Sequence, residues 1–152
     1  MEDLYEKVSG DIKTAMLARD KVALEALRGI KKEFIEAKTA KGADGSLSNE
    51  VATKILLKMV KQRKESAQIY IEQSRPELAE KEIAEAGIIE RYLPTQLTDA
   101  ELEAAVSAII LQLGATGPQD LGKVMGIASK QLAGKTEGKL ISEKVKALLT
   151  NK

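Results

Sequence analysis

The chain of 152 residues has no cysteine, no histidine and no tryptophan, and its aromatic residues are Phe34 and three tyrosines. Each absence removes a class of chemistry. Without cysteine there are no disulfides, thiolate nucleophiles or thiolate metal ligands, which fits a reducing compartment. Without histidine, a neutral-pH general base or a transition-metal site is hard to build. With aromatics at 3% and apolar residues at 43%, the core must come from Leu, Ile, Val, Ala and Met. No apolar run approaches the roughly 20 residues that cross a bilayer. The start, Met1-Glu2-Asp3-Leu4-Tyr5-Glu6, is too acidic and polar for a secretory leader. These features predict a soluble, cytoplasmic protein without membrane association.

What is present is helix. Ala, Leu, Lys and Glu dominate and lose little side-chain freedom in a helix. Leu4, Val8, Ile12, Ala15 and Met16 recur at helical spacing over about 2–18. Asp20 can cap a second helix reaching about Ala40, with Ala23, Leu27, Ile30, Phe34 and Ala37 as its apolar stripe. Lys41–Ser46 is a loop, and Ser48 can cap a long third helix from about Asn49 to Gln73. There Val51, Ile55, Met59 and Tyr70 lie on one side. Lys54, Lys58 and Lys61 lie on another, with Arg63 and Lys64 beside them. Ser74-Arg75-Pro76-Glu77 has capping-box spacing with proline in the first turn, opening a fourth helix to about Tyr92. That helix is acidic. Its carboxylates either pair with the preceding basic helix in a hairpin or leave that helix free for nucleic acid.

Leu93-Pro94 closes the fourth helix, because the residue before proline avoids helical angles. It is the predicted boundary between a hairpin-type N-terminal subdomain, 1–93, and a three-helix C-terminal subdomain, 94–152. Thr98-Asp99-Ala100-Glu101 is a second capping box. It opens a fifth helix carrying Leu102, Val106, Ile109, Ile110 and Leu113 and stopping at Gly114. Pro118 can open a sixth helix ending near Leu132. Gly134-Lys135-Thr136-Glu137-Gly138 links it to a seventh, Lys139 to Thr150. The fold class is all-α.

Net charge is only +1, so its distribution carries the information. From Leu121 to Lys152 there are seven lysines and two acids, with Gly122, Gly126, Gly134 and Gly138 interleaved. On the sixth helix Leu121, Val124, Met125, Ala128 and Leu132 share one face, and Lys123 and Lys130 point away. Gly122 and Gly126 lie near those lysines, one turn apart. Each interior glycine costs a helix about 1 kcal/mol against alanine. Such a strip serves either a neighbouring helix backbone or a sugar-phosphate backbone flanked by lysines. On the seventh helix Lys139 and Lys146 oppose Ile141, Val145, Leu148 and Leu149, while Lys144 lies at the apolar edge where its stem can snorkel. A lysine-rich, glycine-punctuated surface suits a polyanion, nucleic acid first.

No catalytic constellation is visible. Gly134-Lys135-Thr136 resembles the end of a phosphate-binding loop, but the first glycine of that pattern would fall at Ser129 and no strand precedes it. The serines and threonines mostly occupy caps, with no histidine to activate them. No cofactor or metal is expected.

A set of segments gives the chain a family likeness. Lys61-Gln62-Arg63-Lys64-Glu65-Ser66, Arg75-Pro76-Glu77-Leu78-Ala79, Glu90-Arg91-Tyr92-Leu93-Pro94-Thr95-Gln96-Leu97, Gly122-Lys123-Val124-Met125-Gly126 and Gly138-Lys139-Leu140-Ile141-Ser142 occur in this order. Together they resemble the YqeY-like family (GatB/YqeY domain), small proteins related to the C-terminal tail of the B subunit of tRNA-dependent amidotransferase. The likeness spans essentially the whole chain. Two positions depart from the family pattern, Glu137 where Asp is usual and Ala133 where Lys is, and both bear on the linker.

The resemblance implies an all-helical protein of two subdomains that contacts tRNA. It makes Gly122, Lys123, Gly126, Lys135 and Lys139 candidates for the RNA backbone, and the helical wheels add Lys130 and Lys146. The scarcity of aromatics favours recognition by shape and phosphates. The expected function is a non-catalytic tRNA-binding or accessory module. The alternatives are a protein-interaction module docking on an amidotransferase or aminoacyl-tRNA synthetase, and a carbon–nitrogen ligase with glutamine as amido-N-donor, the activity that resemblance to the amidotransferase implies. No glutaminase nucleophile or nucleotide site in the residues supports the last.

Overall fold

In a computed structural model, which describes residues 3–150, the chain is all-helical, with seven α-helices and no strand among those residues. They are α1 Leu4–Ala18, α2 Lys21–Thr39, α3 Asn49–Glu72, α4 Pro76–Glu90, α5 Asp99–Leu113, α6 Leu121–Gln131 and α7 Gly138–Thr150. The first helix was expected from about residue 2, and Glu2 lies outside the described residues. The chain divides into two compact units, Met1–Leu93 and Pro94–Lys152.

In the first unit, α3 and α4 pair as a hairpin, and α1 and α2 are joined by a tight turn. Side-chain caps begin three of these helices: Asp3, Asp20 and Ser48 accept from the N–H groups of Glu6, Ala23 and Val51. The core gathers Val8, Ala26, Leu27, Ile30, Phe34, Leu56 and Ile89, all nearly or wholly buried. Ala37 and Tyr70 of the expected stripes are not in it, and two more of those residues lie at the surface. Met16 and Val51 are exposed. On α3 the buried stripe is Ala52, Leu56, Met59, Val60 and Ala67, one position round from the expected one. Arg63 falls at helical spacing within that stripe. Its Nε lies 3.3 Å from Oε2 of Glu85 on α4, and Gly29 on α2 leaves room for the guanidinium.

The capping box expected at Ser74–Glu77 is not formed. Arg75, with no side-chain cap, precedes α4. Ser74 instead closes α3, in the left-handed conformation with φ 60°. The Ser74 N–H donates to the Ile71 carbonyl and the Arg75 N–H to the Tyr70 carbonyl, the pairing usually completed by glycine. Arg19 closes α1 in the same way, with φ 57°.

The second unit holds α5, α6 and α7 around Leu102, Val106, Ile109, Ile110, Val124, Ala128, Ile141, Val145 and Leu149. The capping box Thr98–Glu101 forms in both directions, and Gly114 ends α5 at φ 65°. Proline 118 begins a single 3-10 turn, Pro118–Asp120, and α6 follows at Leu121.

Candidate nucleic-acid interface

The α6 face that turns away from the core is built from Gly122, Lys123, Gly126, Ser129 and Lys130, all exposed. Gly122, Gly126 and Lys130 follow one another at four-residue spacing, so they form one row along the helix. A Cβ added at Gly122 or Gly126 would meet nothing within 4 Å. Neither glycine, then, admits a neighbouring helix within this unit, and the packing reading of the strip does not hold here.

Lys135 lies in the turn between α6 and α7, and Lys139 and Lys146 lie on the outer face of α7. All three are exposed. Among the described residues, none of Lys123, Lys130, Lys135, Lys139 and Lys146 pairs with a carboxylate. Lys144 behaves differently. Its Nζ lies 2.9 Å from Oδ1 of Asp99, with the side chain only 18% exposed. The hydrogen bond to Asp99 raises its ammonium pKa above the usual lysine value.

The turn carrying Lys135 is anchored by residues the sequence reading did not single out. The Gln96 amide donates to the Gly134 carbonyl at 2.8 Å and also to the Pro94 carbonyl. The Leu97 N–H donates to the Lys135 carbonyl at 2.9 Å. Gly134 takes φ 79°, which favours glycine. Two motif segments some 40 residues apart in the sequence are thus one structural feature. Their shared presence in the family pattern was the available signal.

The basic residues of α3 are differently placed. Arg63 faces Glu85, and Lys64 bonds Glu90 at 3.0 Å. Lys81 on α4 reaches Glu25 on α2 at 3.2 Å. The acidic helix therefore serves hairpin pairing. Burial raises the Glu85 carboxyl above its ordinary value, against the pull of Arg63.

Two clefts among the described residues bear on the site. One of about 330 Å³ in the first unit is lined by Lys7, Asp11, Asp20, Arg91 and Tyr92 among others. Several of its polar groups are engaged. The Tyr92 hydroxyl donates to Asp11, Asp20 caps α2, and Lys7 lies 5.6 Å from the Tyr92 ring centre. Burial, then the bond to Asp11, pushes the Tyr92 phenol well above its usual range. The second cleft, about 470 Å³, lies between the start of α5 and α7. Among the described residues no three acidic side chains gather as a metal site, and no helix is long and apolar enough to cross a membrane.

Curated relatives share the chain's sequence over much of its length. One from Meyerozyma guilliermondii is 45% identical over 84 residues, covering 55% of this chain and 42% of its own. One from Kluyveromyces lactis is 31% identical over 140 residues, covering 90% and 71%. One from Pyrenophora tritici-repentis is 26% identical over 147 residues, covering 94% and 79%. The chain thus spans less than half the length of the first. All three are named altered inheritance of mitochondria protein 41, mitochondrial. Those names run against the expectation of a cytoplasmic protein and overturn it. The family model described as Yqey-like protein matches residues 5–149. The chain belongs to the YqeY-like family.

Proposed function

We propose that this chain is a non-catalytic RNA-binding module that grips tRNA by its phosphates. The grip uses Gly122, Lys123, Gly126, Lys130, Lys135, Lys139 and Lys146. The observation that carries this reading is the open space over Gly122 and Gly126. Two helix-weakening residues face solvent beside unpaired lysines, where a sugar-phosphate backbone can approach the helix closely. The family's relation to the tail of tRNA-dependent amidotransferase names tRNA among the polyanions. The test is a titration of tRNA at several salt concentrations. Affinity falls steeply with salt, and Lys123→Ala with Lys139→Ala flattens the slope of log K against log salt by roughly 1–2. An absence of tRNA binding at low salt contradicts the proposal.

A second reading, docking on an amidotransferase or aminoacyl-tRNA synthetase, is favoured by α5, where Leu111 is 80% exposed. Capture of a partner from lysate separates the two. Partners lost on nuclease treatment support RNA, and partners that persist support docking.

A further inference from the structure

We infer that the cleft between the start of α5 and α7 receives one unpaired nucleobase of the bound RNA, one with an amino group on its Watson–Crick edge. The inference rests on the RNA reading above and adds a base-recognising subsite to it.

The cleft is about 470 Å³ and is walled by Leu97, Leu102, Leu140 and Ala147. That volume lies within the range of small-molecule sites, roughly 300–1,000 Å³. Leu140 is 45% exposed, whereas Ile141, Val145 and Leu149 of the same helix are buried. The position of this wall on α7 follows from helical geometry. Going round the helix from Lys146 and Lys139 toward the cleft, the end residue Thr150 and then Glu143 come next. Ala147 and Leu140 follow, then Lys144, then the core. The basic ridge and the apolar wall are therefore neighbours, with one carboxylate between them. An RNA backbone held along Lys139 and Lys146 has its bases within reach of the cleft.

The chemistry of the lining selects among occupants. A phosphate does not suit it: the Lys144 ammonium is held by Asp99, and the other charges of the lining, Asp99 and Glu143, are negative. A base suits it, with apolar faces for the aliphatic walls and a polar edge for the rim. The Glu143 carboxylate is exposed and offers hydrogen-bond acceptors. It favours the amino group of cytosine, as carboxylates do, over uracil, whose single N3–H is flanked by two carbonyl oxygens that repel a carboxylate. Thr136, buried at 7%, is also part of the lining. Ala147 keeps the wall open, and a larger residue there fills it.

The test uses the full chain and three labelled hairpin RNAs: blunt, with a short cytidine tail, and with a uridine tail of the same length. Fluorescence anisotropy at fixed salt reads each affinity. The cytidine-tailed RNA binds about tenfold tighter than the uridine-tailed one, the low end of what one good edge contact discriminates. Ala147→Leu and Glu143→Gln each remove that preference without weakening the blunt hairpin, which also shows that the variants are folded. Wild-type protein that binds both tailed RNAs alike overturns the base site while leaving the phosphate grip intact. Failure to bind any of the three overturns the RNA reading beneath it. Loss of a nuclease-resistant protein partner on Ala147→Leu, with RNA binding unchanged, assigns the cleft to a protein side chain and overturns the inference.

Discussion

The two units use the same residue types in opposite ways. In the first, charged side chains are directed at each other: Arg63 to Glu85, Lys64 to Glu90, Lys81 to Glu25. Lysines there also lie over rings, with Lys38 3.9 Å from the centre of Tyr5. Its Gly29 is a packing residue, since a Cβ there would come 3.3 Å from the Arg63 guanidinium. In the second unit, Lys144 alone of the described lysines is in a carboxylate pair. Gly122 and Gly126 meet no neighbour at all. Arg63, Lys64, Lys81 and Gly29 build structure in the first unit, although its Gly10 and Gly87 also face open space. In the second, the described Gly122, Lys123, Gly126 and Lys130 have no such structural contact, and the proposed RNA grip gives them a use.

The largest predicted difference tests that contrast directly. Arg63→Ala leaves Glu85 in a mostly buried site without its partner and destabilises the protein by about 3 kcal/mol. Lys123→Ala changes stability by under about 0.5 kcal/mol, because an exposed unpaired lysine contributes little. Urea denaturation of the two variants measures both, and equal effects would break the comparison. The pH dependence has a definite sign. Burial raises the Glu85 carboxyl above its ordinary 4.5 in the fold. The stability linked to it is therefore fullest in acid and falls as pH rises through that value and above it. Arg63→Ala removes the opposing pull and steepens the fall.

A smaller effect is expected at Gln96. Its amide holds the Pro94 and Gly134 carbonyls, so Gln96→Ala costs about 1–2 kcal/mol through two lost hydrogen bonds. It also frees the turn that presents Lys135. Denaturation and RNA titration together sharpen the comparison, because here one substitution acts on both fold and grip. The smallest effect lies at Ser74. Ser74→Gly relieves a left-handed serine and raises stability by about 0.5–1 kcal/mol, visible as a higher denaturation midpoint.

The helices were legible because their signals are local. Asp20, Ser48, the Thr98–Glu101 box and Gly114 all cap where their chemistry indicates. Arg19 and Ser74 were not legible as helix terminators, since neither residue type announces a left-handed conformation. The register of α3 slipped by one position because Arg63, a charge, completes its buried stripe. At the candidate site, sequence placed Lys123, Lys130, Lys139 and Lys146 on outward faces from periodicity alone. It left open whether Gly122 and Gly126 face a helix or solvent, because that depends on where α5 and α7 lie. Gln96 was missed as an anchor because its partner, Gly134, is 38 residues away.

The central claim is that Gly122 and Gly126 are kept for a ligand and not for the fold. It is tested most directly by Gly122→Ala combined with Gly126→Ala, with stability and tRNA affinity measured on the same sample. The added methyl groups enter open space. Helix propensity then raises stability by about 1 kcal/mol at Gly126, and by less at Gly122 in the first turn. The account predicts a more stable protein that binds tRNA more weakly at low salt. A more stable protein with undiminished affinity would contradict it.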